Sequence, residues 1–224
     1  MSFSSTDQSV VVHRHTVASP WTYALLDAYQ RLVATDVRAG RPGKLILSEV
    51  SPVITLGRRP CTEDLTLGAE NLRALGIDTY ASDRGGRATY HGPGQWVLFA
   101  VESLEVLTGD RRGVRKAVEA LLEIARSVAK EYDSSAEIYE GTETGVWVTR
   151  GSGIAKVASV GVHIEQGVLL HGVAVNGYRT STSFQGLKPC GLERPVAFLL
   201  EDSAEFSRLG DKIIREACSV FTGF

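Results

Sequence analysis

The glycine-rich stretch over residues 84–95 constrains the fold of this chain most, because it can form neither a regular helix nor a central strand. Its twelve residues, RGGRATYHGPGQ, contain four glycines and one proline. Apolar runs of strand length flank it at residues 77–81 and 96–101. Glycines let a backbone approach a ligand closely, and functional groups concentrate on loops held by a rigid scaffold. The two arginines and the histidine in this stretch therefore favour a ligand-binding loop over a plain surface turn.

The composition is that of an ordinary globular protein. The 224 residues are 43% hydrophobic and 22% charged with a formal net charge of -2, which argues against a generic nucleic-acid binder. No apolar run has the length of a membrane span and no signal peptide is recognisable, so a cytoplasmic protein is expected. Cys61, Cys190 and Cys218 are far apart and form no C-x-x-C pair, which favours free thiols over disulfides or a zinc site.

Hydrophobic periodicity predicts a single domain that mixes helices and strands. Helical spacing predicts four helices, over residues 20–38, 68–75, 110–132 and 206–220. Ser19 and Asp110 are the predicted N-caps of the first and third of these helices. Runs rich in β-branched and apolar residues predict strands, at residues 10–17, 45–49, 53–56, 77–81, 96–101, 137–139, 145–149, 156–164 and 168–175. The short spacing of the last four strands favours antiparallel hairpins.

Cys190 is a candidate nucleophile because it stands between a proline and a glycine, where an irregular backbone can expose the sulfur. Local sequence favours a nucleophile and an inert thiol equally. A free thiol has a pKa of about 8.5, so a working nucleophile needs a nearby base or cation. Lys156, which is out of place in an apolar run, is one candidate partner, and His91 and His171 are others. A lysine at a strand end with its ammonium in water remains the alternative for Lys156.

Six blocks of sequence, in order, resemble the lipoyl(octanoyl) transferase (octanoyl-[acyl-carrier-protein]:protein N-octanoyltransferase) family. The stretch at 84–95 looks like the signature of that family, and the other blocks are PVITLG at 52–57, GVWV at 145–148, KVASVGV at 156–162, HGVAVN at 171–176 and PCG at 189–191. The resemblance implies an α/β (α+β) fold like that of biotin and lipoate protein ligases, with a mostly antiparallel mixed sheet flanked by helices. We therefore predict a flexible N-terminal tail over residues 1–9 and one octanoyltransferase domain over residues 10–224.

The resemblance also implies the chemistry and the residues that carry it. Octanoyl-acyl carrier protein is the implied donor, Cys190 the thioester nucleophile, and Lys156 the group that lowers the pKa of the thiol and moves protons. The implied acceptors are lysines of lipoyl domains, on 2-oxoacid dehydrogenase E2 subunits and glycine cleavage H protein. No metal, cofactor, nucleic acid or membrane is expected. The residues implied to line the acyl-binding site are Arg84, Gly85, Gly86, Arg87, Ala88, Thr89, Tyr90, His91, Ser159, Val160, Gly161, Gly172, Val173 and Ala174.

Three alternatives remain open at this point. An ATP-dependent lipoate or biotin protein ligase of the same fold would use a Gly-rich loop for an acyl-adenylate and needs no nucleophilic cysteine, so the Pro-Cys-Gly block at 189–191 argues against it. A non-catalytic binding module and a cysteine thioesterase are the other two. Carrier proteins are usually acidic, so Arg58 with Arg59, or the basic cluster at 111–116, is a candidate docking surface.

Overall fold

Two sheets build the fold of the computed structural model, which describes residues 9–16, 18–59, 62–141, 144–187 and 195–221. The larger sheet has seven strands, in the order β1 (Val10–His13), β2 (Lys44–Ser48), β6 (Gln95–Val101), β10 (Val168–Asn176), β9 (Gly153–Glu165), β8 (Gly145–Arg150) and β7 (Glu137–Tyr139). Its neighbouring strands are antiparallel except β1 and β2, which are parallel. The smaller sheet has the order β4 (Asp78–Ala81), β3 (Val53–Leu56) and β5 (Ala88–His91).

Helices cover both faces of the larger sheet. The α-helices of the described residues are α1 (Tyr23–Arg38), α2 (Ala69–Ala74), α3 (Leu104–Thr108), α4 (Val114–Lys130) and α5 (Phe206–Val220), of which α2 packs on the smaller sheet. Helix α1 packs on one face, against β6 and β10, while α4 and α5 pack together on the other face. This arrangement confirms the predicted mixed, mostly antiparallel sheet flanked by helices. None of the helices in the described ranges is both long enough and apolar enough to cross a membrane.

Strand β6 shows why the apolar run at 96–101 is continuous. Trp96 and Leu98 belong to the core under α4 and α5, whereas Val97 and Phe99 belong to the core under α1. Successive side chains of a strand point to opposite faces, so a run of residues covered on both faces is continuously apolar. The predicted central place of this strand is confirmed, since it pairs with both β2 and β10.

The predicted start of the first helix is wrong by several residues. Its N-cap is Thr22, whose hydroxyl accepts a hydrogen bond from the Leu25 N–H at 3.2 Å. Ser19 instead closes a turn with Thr16, in which each backbone N–H donates to the other residue's carbonyl at 3.2 Å. Both Ser19 and Thr22 are good capping residues, and the turn with Thr16 decides between them. The first strand also ends earlier than predicted, at His13.

The predicted cap of the long helix α4 is also wrong, because Gly113 and not Asp110 is its N-cap. The Asp110 carboxylate accepts a hydrogen bond from the Arg112 N–H at 2.8 Å and so closes a turn before the helix. Two short elements were not predicted, α3 and β5. The predicted domain boundary between residues 9 and 10 stays a prediction, since residues 1–8 lie outside the described part of the chain.

Candidate functional site

A cavity lies between the α1 face of the larger sheet and the loop that leads into β5. Its free volume is about 460 Å³ when the open solvent at its mouth is included. Every residue predicted to line the acyl-binding site lies on its wall except Tyr90. The cavity is lined as well by residues that were not predicted to bind substrate, Tyr23, Val97, Phe99 and His171.

The floor of the cavity is one face of three neighbouring strands. Strand register places its side chains in two rows, Ser159–Ala174–Val97 and Gly161–Gly172–Phe99. The members from β9 and β10 are all small, so the floor is low in the middle and is walled on the β6 side by larger apolar side chains. This shape is a groove that runs parallel to the strands.

The loop over residues 84–87 forms the roof of the cavity and is pinned to the sheet. The Gly85 N–H donates to the Val162 carbonyl at 2.8 Å. The buried guanidinium of Arg84 donates to the Thr55 carbonyl at 2.6 Å and to the Thr55 hydroxyl at 2.8 Å. A Cβ on Gly161 would lie 3.0 Å from the Gly85 carbonyl oxygen, so roof and floor approach closely only because this position is glycine.

The second arginine of this loop, Arg87, also forms an ion pair inside the protein. Arg87 donates two hydrogen bonds to the two carboxylate oxygens of Asp64, at 3.1 and 2.6 Å. Asp64 is fully buried, and a paired guanidinium is what such a carboxylate requires. Arg84 and Arg87 were predicted to line the binding site, and they do lie on its wall, with guanidinium groups that bond to protein partners. Tyr90 points elsewhere, and its hydroxyl lies 2.8 Å from the Thr182 hydroxyl.

A chain of buried hydrogen bonds joins the cavity wall to Lys156. His91 Nδ1–H donates to Gln95 Oε1 at 2.7 Å, and Gln95 Nε2 donates to Asn176 Oδ1 at 2.9 Å. Asn176 Nδ2 in turn donates to the Lys156 carbonyl at 3.3 Å. Because the Gln95 amide nitrogen donates to two carbonyl-type oxygens, its oxygen must accept, which assigns the proton of neutral His91 to Nδ1. Gln95 and Asn176 were not predicted as site residues.

Burial keeps His91 neutral. Removal of the imidazole from water, aided by the positive charge of Arg84, lowers its pKa from 6.5 to about 3, although the hydrogen bond to Gln95 acts in the opposite direction. With its proton on Nδ1, the ring has an unprotonated Nε2.

His171 has an unusual backbone that turns its side chain toward α1. Its φ is 62°, the left-handed region, inside strand β10. Its Nε2–H donates to Asp83 Oδ1 at 2.6 Å, and its Nδ1 accepts from the Tyr23 hydroxyl at 3.2 Å and from Gln30 Nε2 at 3.1 Å. Regular alternation along β10 would place this side chain with Leu169 and Val173 under α4. The left-handed residue therefore brings an imidazole into the cavity wall.

His171 and Asp83 form a neutral imidazole next to an ionised carboxylate. Burial lowers the pKa of His171, and its hydrogen bond to Asp83 only partly offsets this. Burial alone would raise the pKa of Asp83, but the hydrogen bonds from His171 and Arg31 outweigh it and lower the pKa to about 2.

Asp83 is also where the possible metal ligands of the described residues converge. Two overlapping sets have ligand atoms close enough to share an ion, Asp27–Asp83–His171 and Asp83–His163–Glu165. The guanidinium of Arg31 lies 2.9 Å from Asp27, 2.9 Å from Asp83 and 3.1 Å from Glu165. The carboxylates of both sets therefore already face a protein cation.

Lys156 is a buried lysine on β9, with 4% of its surface exposed. Its ammonium donates to the Thr144 carbonyl at 3.1 Å and lies 4.7 Å from the centre of the Trp147 ring, its cross-strand neighbour. A Cβ on Gly145 would lie 3.1 Å from Lys156 Cε, so the glycine leaves room for the lysine side chain. The structure thus excludes the alternative of an ammonium in open water.

The predicted nucleophile Cys190 lies outside the described residues, as does Cys61. The described chain resumes at Pro195, five positions after Cys190, and there it runs alongside Lys156. The Lys156 N–H donates to the Pro195 carbonyl at 3.0 Å, and the Ala197 N–H donates to the Lys156 carbonyl at 2.9 Å. The segment that follows the Pro-Cys-Gly block is therefore bonded to both backbone groups of Lys156.

The two predicted basic surfaces lie on opposite sides of the larger sheet. Arg58 and Arg59 are exposed, and their backbone N–H groups donate to the carbonyls of Arg84 at 3.0 Å and Gly86 at 3.1 Å, at the roof of the cavity. Neither guanidinium lies within ion-pair distance of a carboxylate in the described part of the chain. The cluster at 111–116 leads into α4, on the face away from the cavity.

The state of His91 gives a testable pH dependence of stability. The unfolded chain takes up a proton below a pH of about 6.5, whereas folded His91 does not until about pH 3. The contribution of neutral His91 to the free energy of unfolding is therefore fully present above pH 6.5. It is lost as the pH falls toward 3, at up to ~1.4 kcal/mol per pH unit. We expect urea unfolding between pH 7.5 and 4.5 to show this slope, and His91→Gln to reduce it. An imidazole nitrogen NMR signal that reports protonated His91 at pH 6 would contradict the assignment.

Comparisons with known proteins identify the family. The lipoyl protein ligase A/B catalytic domain family matches this chain over residues 23–207. An octanoyltransferase of Magnetococcus marinus is 38% identical over 201 residues, which cover 89% of this chain and 86% of that protein. An octanoyltransferase of Roseiflexus sp. is 35% identical over 198 residues, which cover 86% of this chain and 80% of that protein.

Solved structures with low sequence identity share the fold. A lipoate-protein ligase A bound with ATP superposes with a TM-score of 0.68 at 14% identity, covering 96% of this chain and 85% of that one. A bipartite lipoate protein ligase from Thermoplasma acidophilum gives a TM-score of 0.63 at 17% identity, covering 96% and 84%. The fold is therefore that of the lipoate protein ligases, as predicted. By sequence and by fold, this chain belongs to the lipoyl protein ligase A/B catalytic domain family and, within it, to the octanoyltransferases.

Proposed function

We propose that this protein transfers an octanoyl group from acyl carrier protein, through a thioester on Cys190, to a lysine amine of a lipoyl domain. The observation that carries the proposal is the place of Lys156, a buried lysine whose backbone is bonded to the segment just after the Pro-Cys-Gly block. The relatives with the name octanoyltransferase support the same activity. We also propose 2-oxoacid dehydrogenase E2 subunits and glycine cleavage H protein as the lipoyl acceptors. The predicted cytoplasmic location stays a prediction.

In the first step of the proposed reaction, Cys190 sulfur attacks the carbonyl carbon of the octanoyl thioester. The proton of the thiol goes to the amine of Lys156, the bond between the carbonyl carbon and the carrier sulfur breaks, and the carrier leaves as a thiol with that proton. One thioester replaces another, so the step needs no nucleotide.

In the second step, the acceptor lysine amine attacks the carbonyl carbon of the Cys190 thioester. An unperturbed lysine amine has a pKa of ~10.4, so a base must take its proton as the amide forms. Lys156 takes this proton and returns it to the Cys190 sulfur as the carbon–sulfur bond breaks. The products are an octanoyl amide on the acceptor and the free thiol of the enzyme.

The cavity is the proposed place of the octanoyl chain during both steps. Its floor row of Ser159, Ala174 and Val97 lies three residues from Lys156 along β9, so the groove is within reach of a chain attached near Lys156. Most of the residues that line it are apolar or glycine, which suits an alkyl chain.

The assay that tests this function supplies the octanoyl group in two forms. Octanoyl-acyl carrier protein without ATP is expected to octanoylate a purified lipoyl domain, whereas free octanoate with ATP is not. The reverse pattern would assign the protein to ATP-dependent ligases of the same fold. Rapid release of octanoate without a lipoyl domain would instead indicate a thioesterase.

Arg58 and Arg59 are the proposed docking surface for the acidic donor, because they are exposed beside the roof of the cavity. The double replacement Arg58→Glu and Arg59→Glu is expected to lower kcat/KM for octanoyl-acyl carrier protein by roughly 10- to 100-fold, since like charges would then meet. With octanoyl-pantetheine as donor, the same variant is expected to stay within about two-fold of the wild type. Steady-state kinetics with the two donors measures both effects.

The matched control makes the same charge change on the other face of the sheet. Arg112→Glu with Lys116→Glu alters two exposed residues near the start of α4 and is expected to leave both donors unaffected. Equal losses for the two double variants would contradict docking at the cavity roof.

A further inference from the structure

We propose that the end wall of the cavity, formed by Phe99, Tyr23 and His171, sets the length of the acyl chain that this protein transfers. The inference rests on the proposed function, because it takes Lys156 as the reacting end of the groove. It concerns the opposite end, where none of the three residues was predicted to bind substrate.

The strand register supplies the length of the groove. At the reacting end, Asn176 of β10 bonds to the Lys156 carbonyl. At the far end, Gly172 of β10 pairs with Gly161 on one side and Phe99 on the other. The two levels are four residues apart on β10, which corresponds to ~13 Å at ~3.3 Å per residue.

An extended octanoyl chain fits this interval. Its seven carbon–carbon bonds, each ~1.5 Å long and placed in a zigzag, span ~9 Å, and the terminal methyl group adds its own radius. With that radius included, an eight-carbon chain therefore ends ~2 Å short of the row of Gly161, Gly172 and Phe99. Two further carbons would extend the chain by ~2.5 Å, into that row and against the ring of Phe99.

Ring packing and hydrogen bonds hold the three side chains of the end wall together. Phe99 is buried, and its ring packs edge-on against His171 with centroids 5.5 Å apart and against Tyr23 with centroids 6.4 Å apart. His171 is fixed by Asp83 at 2.6 Å, and the Tyr23 hydroxyl lies 3.2 Å from His171 Nδ1. A longer chain would have to displace rings that are held by hydrogen bonds, not only by packing.

The test measures kcat/KM for six-, eight-, ten- and twelve-carbon thioesters on the same carrier protein. Phe99→Ala is expected to raise the ratio of ten- to eight-carbon transfer ~10-fold, because each buried methylene changes binding by a factor of ~4. Phe99→Leu removes less volume and keeps the core filled, so a ~4-fold rise is expected there. A ratio within one protein sample does not depend on the fraction that is folded.

A second variant tests the same idea in the opposite direction. Ala174→Val fills the middle of the groove floor, and it is expected to raise the ratio of six- to eight-carbon transfer several-fold. The matched control is Val101→Ala, on the same strand and in the same core as Phe99 but not on the cavity wall. It is expected to lower stability without a change in the chain-length profile.

The outcomes separate this inference from the proposed function. If the wild type transfers the octanoyl group and the Phe99 variants have the same chain-length profile as Val101→Ala, the inference about the end wall is wrong and the proposed function stands. Wild type that forms no adduct with any of the thioesters would overturn the proposed function and this inference with it. Shifts toward longer chains for Phe99 and toward shorter chains for Ala174 would support the inference.

Discussion

Replacing Lys156 with methionine is expected to lower octanoyl transfer by about 10³-fold, with most of the loss in kcat. A positioned acid–base group contributes roughly 10²–10⁴ to a rate, and methionine fills the buried space without an amine. Donor and acceptor binding do not use this side chain in the proposed mechanism, so KM is expected to change little. Single-turnover transfer from octanoyl-acyl carrier protein to a lipoyl domain measures the effect directly.

The pH profile distinguishes a chemical role of Lys156 from a structural one. Without the lysine amine, only the ionised fraction of the Cys190 thiol can react with the donor. This fraction increases with pH up to about the pKa of a free thiol, so the rate of the variant should rise up to pH ~8.5. Lys130→Met is the control, because this lysine is on the surface helix α4 and pairs with Glu137 at 2.7 Å. Activity of Lys156→Met within ten-fold of the wild type would contradict the assigned role.

Gly172→Ala is expected to have the largest effect on stability, about 3–4 kcal/mol of the free energy of unfolding. A Cβ at this position would lie 2.0 Å from the Leu98 carbonyl oxygen and 3.1 Å from the Leu98 carbonyl carbon. Both are backbone atoms of β6, so the clash can be relieved only by a shift of the central pair of strands. Urea denaturation monitored by fluorescence gives the free energy of unfolding.

A glycine elsewhere in the sheet provides the control for that substitution. The nearest atom to a Cβ on Gly153 of β9 would be the Arg150 carbonyl oxygen at 4.0 Å, an ordinary contact. Gly153→Ala is therefore expected to stay within about 0.5 kcal/mol of the wild type. If the two variants are equally stable, the close approach of β6 and β10 at Gly172 is wrong.

Parts of the sheet and of the cavity wall could be predicted from the sequence, because a local sequence pattern determines their structure. Strand β3 has the bounds that were predicted, and the run from Trp96 to Val101 of β6 is apolar at every position because both faces of the strand are covered. The loop at 84–87 contains Gly86, whose φ of 91° lies in the left-handed region that favours glycine. Features of this kind can be predicted from the sequence alone.

Other parts of the site depend on contacts between residues that are distant in the chain, so no local sequence pattern predicts them. His171 lies in an apolar run, and only its left-handed backbone turns the imidazole to the cavity. Tyr23 reads as one member of an ordinary helical core stripe, although its ring lies between those of His91 and His171. Gln95 and Asn176 are 81 positions apart in the chain and become partners only when β6 pairs with β10.

The shared fold also explains why sequence motifs, and not architecture, carry the chemistry. The two solved ligases superpose on this chain at TM-scores of 0.68 and 0.63 despite identities of 14% and 17%. A common fold can support different reactions at the same groove, so the distinction between transferase and ligase rests on individual residues. We propose that the residue that makes this distinction here is the nucleophile Cys190.

Intact-protein mass spectrometry is the most direct test of the central claim, that octanoyl transfer passes through a thioester on Cys190. Wild-type protein mixed with octanoyl-acyl carrier protein and no ATP is expected to gain one octanoyl group, on the peptide that contains Cys190. Cys190→Ala should gain none, although Cys61 and Cys218 remain, and the wild-type adduct should disappear when a lipoyl domain is added and octanoylated. An unmodified wild type, with lipoyl-domain octanoylation only when ATP and free octanoate are present, would show that the reaction does not pass through Cys190.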